Sequence, residues 1–300
     1  MNYLLVIEGP TAVGKTELSI SIAKHFNTEI ISCDSRQFYK EMIIGTAVPS
    51  EKNLKEIQHH FIHQLSIKNS YSVGQFELEA IKKIKELHCI HQIVVMVGGS
   101  GLYIDAVCVG LDEFPNVPKN IRNSLNGRFK KEGLSELKKE LKILDPRGFS
   151  EIDKNNPHRI IRALEICLVS GKPYSSFKNG QNKKRDFRVI KVSLELDREK
   201  LYKRINKRVD LMMHKGLLDE VKSLVQYRHI NALQTVGYKE LFAFIDGKLK
   251  IEDAVDEIKK NTRHYAKRQI TWMRRESKQM IVHPNDLENI LHQLEQIIKK

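Results

Sequence analysis

The sequence predicts an α/β protein, a parallel sheet flanked by helices and interrupted by an all-helical insertion. Three observations predict it. Short β-branched runs alternate with segments of helical spacing over the first hundred residues, and such runs return near the end. A glycine-bounded loop, 9–16, joins the first run to the first helical segment. From about 113 to 187 the alternation stops and only helical patterns remain. The expected organisation is a core built from 1–112 and 188–300, with C-terminal helices, and a helical insertion domain over 113–187.

The elements follow in order. YLLVIE (3–8), EIISC (29–33), IVVMV (93–97), RVIKVSLEL (188–196) and MIVH (280–283) read as buried strands. Between the first two, 15–25 leads into Phe26 with apolar residues at Leu18, Ile22 and Phe26, a helical spacing, and 74–88 repeats it with Phe76, Ala80, Ile84 and Leu87. In the insertion, 121–131 and 134–144 are helical. The stretch NNPHRIIRALEICLVSGKP carries its own start and stop signals: Asn156 as N-cap, Pro157 at the first helical position, Gly171 after the last turn and Pro173 beyond it. Helices are expected again near 198–215, 216–227, 238–246 and 251–274, with a tail helix from Asp286.

Fifty-one Lys and Arg face thirty-seven Asp and Glu, a formal net charge of +14. Much of the excess lies in the second half, in 183–185 and 263–275. Such a balance favours a polyanionic partner, most often nucleic acid, although a merely basic enzyme would look the same. Cys33, Cys89, Cys108 and Cys167 lie far apart with no C-x-x-C pair, which argues against a zinc site and against a disulfide framework. The first strand begins at once, leaving no room for a signal peptide, and no window approaches the ~18 apolar residues of a membrane span. A cytoplasmic protein is expected, and a monomer, since no exposed heptad stripe is evident.

The loop Gly9-Pro10-Thr11-Ala12-Val13-Gly14-Lys15-Thr16 fits G-x-x-x-x-G-K-[ST] and has the strand-to-helix context that gives the motif meaning. Its backbone N–H groups can turn around phosphate oxygens at a helix N-terminus. Lys15 would reach terminal phosphate oxygens and Thr16 would ligate Mg²⁺. The core is therefore expected to be P-loop NTPase-like. An ordinary NTPase also needs an acidic residue at another strand end. The strand at 93–97 ends instead in VGGSGLY, and Asp105 is too far along, so ATP hydrolysis is not favoured. Asp34 directly follows the second strand, which puts it beyond the carboxyl ends of the strands, in the same crevice as the loop. A carboxylate there could bind metal, hold a substrate hydroxyl, act as a general base, or merely cap a turn.

Together these residues resemble the tRNA dimethylallyltransferase (tRNA isopentenyltransferase) family of bacterial type. The likeness covers nearly the whole chain and rests on GPTAVGKT (9–16), DSRQFY (34–39), GTAVP (45–49), HHFIH (59–63), YSVGQF (71–76), VGGSGLY (97–103), NNPHRIIRALE (155–165), TVGYKE (235–240) and RHYAKRQITWMR (263–274), in the family's order. It implies transfer of a dimethylallyl group from dimethylallyl diphosphate to the exocyclic N6 of tRNA adenosine 37. The loop would then hold the donor's diphosphate, and ATP would be neither needed nor split. The resemblance implies a donor site at Gly9, Pro10, Thr11, Ala12, Val13, Gly14, Lys15 and Thr16, with Arg208 near the diphosphate and Asp34 as general base. It implies tRNA contacts at Asp34, Ser35, Arg36, Gln37, Ser100 and Arg122, and at His158, Arg159, Ile160, Ile161 and Arg162. Further tRNA contacts are implied at Gln234, Thr235, Val236, Gly237, Tyr238 and Lys239, and at Lys267, Arg268, Gln269, Ile270, Thr271, Trp272, Met273 and Arg274. Two positions depart from the family: His63 stands where Asp is common, and Ser100 replaces the commoner Thr while keeping the hydroxyl.

Chemically, the scheme needs a base for the adenine N–H proton and stabilisation of the departing diphosphate. The base should be flipped out of the anticodon loop to reach the crevice. On a helix Arg263, Lys267 and Arg274 fall within about 40° of one face, a possible phosphate-tracking stripe or simply a solvated one. Trp272 is expected in the core rather than as a stacking platform. His59, His60 and His63 are expected to pack or touch RNA rather than bind metal, because no Cys or carboxylate stands near at ligand spacing. Three other readings stay open: a small-molecule kinase with Asp34 on its acceptor, prenyl transfer to free adenine nucleotides, and an RNA-binding module whose loop is only a switch.

Overall fold

A computed structural model describes residues 1–178, 180, 182–275 and 279–299. Along the chain run β1 (Tyr3–Glu8), α1 (Lys15–His25), β2 (Ile30–Cys33), α2 (Glu51–Glu56), β3 (His59–His60), α3 (Val73–Leu87), β4 (Ile93–Gly98), α4 (Gly101–Cys108), α5 (Lys119–Leu144), α6 (Pro146–Glu151), α7 (Pro157–Ser170), β5 (Arg188–Leu194), α8 (Arg198–His214), α9 (Leu217–Ser223), α10 (Tyr238–Ile245), α11 (Ile251–Met273), β6 (Met280–Val282) and α12 (Leu287–Ile298). The chain divides into two compact units, 1–109 with 184–300, and 110–183.

In the larger unit six parallel strands form one sheet in the order β3-β2-β4-β1-β5-β6. The alternation within β1 separates its two faces. Leu4 and Val6 join a core under α3, α4, α9, α10 and α11, while Tyr3, Leu5 and Ile7 join a second core under α1, α8 and α12. Both faces are buried, as parallel sheets require. Register then places the site. Glu8 pairs with Gly98 and with Ser193, and Cys33 also pairs with Gly98. Gly9, Asp34 and Gly99 thus leave the sheet at one edge, beyond the carboxyl ends of the strands, where ligands bind in open α/β folds. Among the described residues, no helix is long and apolar enough to cross a membrane.

The smaller unit has its own core of Leu125, Leu137, Leu141, Ile160, Ile161, Ala163, Leu164 and Cys167. Helix α5 changes direction at Gly133, whose φ of 79° and ψ of 179° lie outside the helical region. The two helical patterns on either side of it are therefore distinct helices in geometry. Helix α7 starts and ends on the expected signals. The Asn156 side chain accepts from the N–H groups of His158 and Arg159, Pro157 opens the first turn, and Gly171 closes the helix at φ 65°.

Buried in this unit, with no exposed surface of its own, is the Glu165 carboxylate. Arg122 grips it through two bonds and Arg162 adds a third at 3.1 Å. Burial pushes the Glu165 pKa up, but these arginine bonds outweigh it and hold the carboxyl below its ordinary range. Its contribution is therefore full above the ordinary carboxylate pKa and is lost as pH falls through the lowered value. Glu165→Ala is expected to cost about 2 kcal/mol in urea unfolding at neutral pH, because the half-exposed arginines regain water while the charged bonds are lost. The deficit should shrink below about pH 4. An equal deficit at both pH values would contradict the ionic account.

Candidate active site

The phosphate loop is shaped by its backbone. Gly14 has φ 116° and Ala12, though not glycine, has φ 65°. A left-handed alanine costs of order 1 kcal/mol and persists where the surroundings over-determine it. Those surroundings come from two helices. On α11, Gln269 Oε1 accepts from Thr11 N–H at 2.8 Å and its Nε2 donates to the Gly99 carbonyl at 2.9 Å. On α8, Arg204 donates to the Val13 carbonyl at 2.9 Å and Arg208 donates to the Thr11 hydroxyl at 3.2 Å. Gly99 and Gly101 permit the close approach of α11: a Cβ at either would lie 2.2–2.3 Å from Gln269 or the Trp272 ring. At the start of α1, no side chain among the described residues caps the helix. Its first-turn N–H groups are thus available to an anion, aided by the helix dipole.

Lys15 donates to the carbonyls of Gly9 at 3.0 Å and Pro10 at 2.9 Å. Burial, and then the Arg208 charge, bring its pKa down to about 8, against an opposing pull from Asp34. Burial likewise lowers the pKa of Arg208, which Glu17 and Asp34 partly restore. A guanidinium nonetheless stays charged. The loop thus faces two desolvated cations, an arrangement suited to an incoming polyanion.

Two cavities meet at Asp34. One, of about 40 Å³, is lined by Lys15, Thr16, Ser32, Gln37 and His59 together with Pro49, Ile62 and Val97. The other, of about 110 Å³, has Thr11, Arg36 and Arg208 at its polar end and Val209, Met212, Leu217, Val236 and Ile258 as an apolar floor. Among the described residues, Asp34 alone lines both. One of its oxygens accepts from Arg36 N–H at 3.0 Å, an Asx turn that aims the carboxylate. Ser35 N–H donates to Ser100 Oγ at 3.2 Å, tying the second strand end to α4. Tyr265 also lines the larger cavity; burial and the Asp34 charge push its phenol well above the ordinary range, and it shares a hydrogen bond with Ser100.

The expected site residues separate into groups. Gly9 through Thr16, Asp34 and Arg208 converge as described. His158 and Arg159 are exposed on α7, and Gln234, Lys239, Lys267, Arg268, Thr271 and Arg274 are exposed on the larger unit. Thr235, Val236 and Gly237 line the larger cavity. Gln37 spends its amide N–H on the Thr46 and Ala47 carbonyls, at 3.1 and 3.3 Å. Several of the side chains expected at RNA are engaged within the protein. Ile160, Ile161, Tyr238 and Met273 are buried, Ile270 packs against the core, and Gln269 braces the loop. Arg122 and Arg162 are committed to Glu165. Arg263 on the expected stripe donates to Asn206 at 2.8 Å and lies over the Tyr202 ring. Trp272 is half-buried against Gly101, with the Arg275 guanidinium over its ring.

The histidines do different things. His59 Nδ1 meets the Ile57 carbonyl at 2.8 Å and His60 Nε2 meets Glu29 at 2.6 Å, while His63 takes a left-handed turn at φ 50°. The sequence reading misses Arg204, Tyr265 and, in the cavity floor, Val209, Met212, Leu217 and Ile258, and it expects Gln269 and Val236 only as tRNA contacts. Only Arg204 carries a signal, since it stands four residues before Arg208 and so on the same helix face.

Comparison with known proteins fixes the lineage. The IPP transferase family model matches residues 37–276. The chain belongs to the IPP transferase family. It is 56% identical over 275 residues to a tRNA dimethylallyltransferase of Christiangramia forsetii, covering 92% of this chain and 91% of that one. It is 48% identical to the tRNA dimethylallyltransferase of Flavobacterium johnsoniae, covering 100% of this chain and 99% of that one. The solved tRNA isopentenylpyrophosphate transferase of Bacillus halodurans superposes with a TM-score of 0.73 at 34% identity, covering 100% and 96% of the two chains. A eukaryotic dimethylallyltransferase solved while acting on tRNA superposes with a TM-score of 0.81 at 28% identity, covering 96% of this chain and 75% of that one. In this transferase, then, a phosphate loop and an apolar cavity share one carboxylate.

Proposed function

We propose that the chain transfers a dimethylallyl group from dimethylallyl diphosphate to N6 of adenosine 37 in tRNA, releasing diphosphate. Family membership supports the reaction class. The observation that carries the assignment of parts is Asp34, shared by the phosphate-side cavity and the apolar one. A donor with a charged head and a hydrocarbon tail needs both environments, and the bond that breaks lies where they meet. A kinase acceptor would have no use for the floor of Val209, Met212, Leu217, Val236 and Ile258.

In this reading the loop N–H groups, Lys15, the Thr11 hydroxyl and Arg208 bind the diphosphate. The adenine N6 attacks the allylic carbon. A C–N bond forms as the C–O bond to the diphosphate breaks, and Asp34 accepts the N6 proton. Negative charge grows on the departing oxygen, and fixed donors already aimed there stabilise it without reorganising. The apolar floor keeps water from the reacting carbon. The Thr16 hydroxyl lines the same cavity and would hold Mg²⁺, a hard cation that takes oxygen donors. So held, the ion would supply neutralisation of the leaving group's charge. Exposed His158 and Arg159 on the helical unit, with Lys239, Lys267, Arg268 and Arg274 on the core, are the residues proposed to meet tRNA phosphates.

The reading is tested by incubating the protein with dimethylallyl diphosphate, Mg²⁺ and unmodified tRNA, then digesting the RNA and weighing the nucleosides. An adenosine heavier by one prenyl group supports it. Turnover of nucleoside triphosphate without such a product would overturn it in favour of a kinase.

Lys15 adds a pH dependence. Its ligand-free pKa is about 8, and an anion beside it raises that value, so donor binding takes up a proton above this pH. Donor affinity measured by calorimetry should therefore fall as pH rises through about 8, approaching tenfold per unit. In Lys15→Arg the slope should vanish. A slope that persists in Lys15→Arg would assign it to another group.

A further inference from the structure

Glu220 stands on α9, and the chemistry above does not use it. Its carboxylate accepts four hydrogen bonds. Oε2 takes the N–H groups of Ile43 at 3.0 Å and Ile44 at 2.7 Å. Oε1 takes the Gly45 N–H at 3.0 Å and the Tyr238 hydroxyl at 2.6 Å. Three successive backbone N–H groups converge on one carboxylate, the concave arrangement that binds anions. Tyr238 is fully buried, and burial together with the Glu220 charge keeps its phenol protonated and donating. Gly45 presses on that ring so closely that a Cβ would come within 2.5 Å of it.

The fixed segment lines the apolar cavity. Gly45, Thr46 and Ala47 share its lining with Val209, Met212 and Ile258. Leu217, which opens α9 one turn before Glu220, belongs to the floor, so one short helix supplies both floor and anchor. Ala47 is held left-handed at φ 51°, a strained state that persists only under such restraint. The cavity holds about 110 Å³. For comparison, an apolar cavity of about 150 Å³ accepts one six-carbon benzene. That volume is on the scale of one five-carbon branched chain rather than two.

We propose that Glu220 and Tyr238 latch 43–47 as the wall at which the donor's hydrocarbon chain ends, and so act as positioning residues that set its length limit. The inference rests on the donor reading above. Glu220→Gln keeps the volume but turns an accepting oxygen into a donating amide among N–H groups, releasing the wall. Tyr238→Phe keeps the ring and the three backbone bonds and removes only one.

The test compares kcat/KM for geranyl and dimethylallyl diphosphates in the wild type and both variants. The wild type should strongly prefer the five-carbon donor. In Glu220→Gln the ratio should move toward geranyl by about tenfold or more, the scale of methylene-sized discrimination. In Tyr238→Phe it should move the same way by less. A general loss of structure would lower both donors equally; an unchanged ratio in both variants, or a wild type indifferent to chain length, overturns the latch. If Glu220→Gln does not fold, Tyr238→Phe decides, an unchanged ratio again overturning it. Calorimetry of the two diphosphates without RNA gives the same comparison apart from turnover. A latch that shifts binding as expected while no variant modifies tRNA would contradict the transfer reading and leave the latch standing.

Discussion

Asp34→Asn is expected to lose about 10²–10⁴-fold in the single-turnover rate while binding donor and tRNA almost normally. Asn is nearly the same size and keeps the acceptor that receives the Arg36 N–H, so the turn at 34–36 should survive. What it lacks is the ability to take a proton near neutral pH. The alternatives for this residue predict other outcomes. If Asp34 chiefly holds Mg²⁺, the variant should bind donor poorly, and a higher Mg²⁺ concentration should restore much of the rate. If it only caps a turn, Asn caps it as well, and both stability and rate should stay nearly intact. Single-turnover rates across a Mg²⁺ series, with donor affinity and melting temperature alongside, distinguish the three.

Lys15→Ala is expected to reduce turnover by about 10²–10³-fold, the usual consequence of losing one fixed donor to a growing negative charge. The structure adds a reason for a clean separation from RNA binding. Lys15 is tied to the Gly9 and Pro10 carbonyls within the loop, whereas Arg159, Lys239, Lys267 and Arg268 are exposed on other elements. Filter-binding affinity for tRNA should change by less than about threefold at one salt concentration, since affinity for RNA comes mainly from distributed phosphate contacts. Equal losses in tRNA affinity and turnover would show that the loop and the RNA surface are not separate.

How much of this was legible in the sequence differs by element. Helix α7 could be bounded to the residue because Asn156, Pro157 and Gly171 act through local geometry. The strands β1, β2 and β4 are legible because they are short, nearly continuous apolar runs, buried along almost their whole length. Strand β3 is not, since His59–His60 is two residues long and its pairing with Ile30 and Ile31 is a tertiary fact. Helices α2 and α6 are six residues long, less than two turns, too short for a periodic pattern to declare itself.

The site divides along the same line. The phosphate loop and Asp34 were legible because a loop motif and a strand end are defined by local order. Which member of a basic block faces inward was not. Gln269 and Arg268 are adjacent, yet one braces Thr11 and the other is exposed, and only the packing of α11 against Gly99 and Gly101 decides. Arg263 falls on the same helix face as Lys267, yet it is partly buried, because Asn206 and Tyr202 on α8 engage its guanidinium. The apolar floor is assembled from α8, α9 and α11 and the segment before α10, and no single window contains it.

The most direct test of the central claim is a crystal structure with a non-reactive thio analogue of dimethylallyl diphosphate and an anticodon stem-loop bearing adenosine. The account predicts the diphosphate on the 9–16 loop within reach of Lys15 and Arg208, with the prenyl chain over Val209, Met212 and Ile258. It predicts the adenine N6 within about 2.6–3.2 Å of an Asp34 oxygen. A prenyl chain lying outside that cavity, or an adenine N6 remote from Asp34 with both substrates bound, would contradict it.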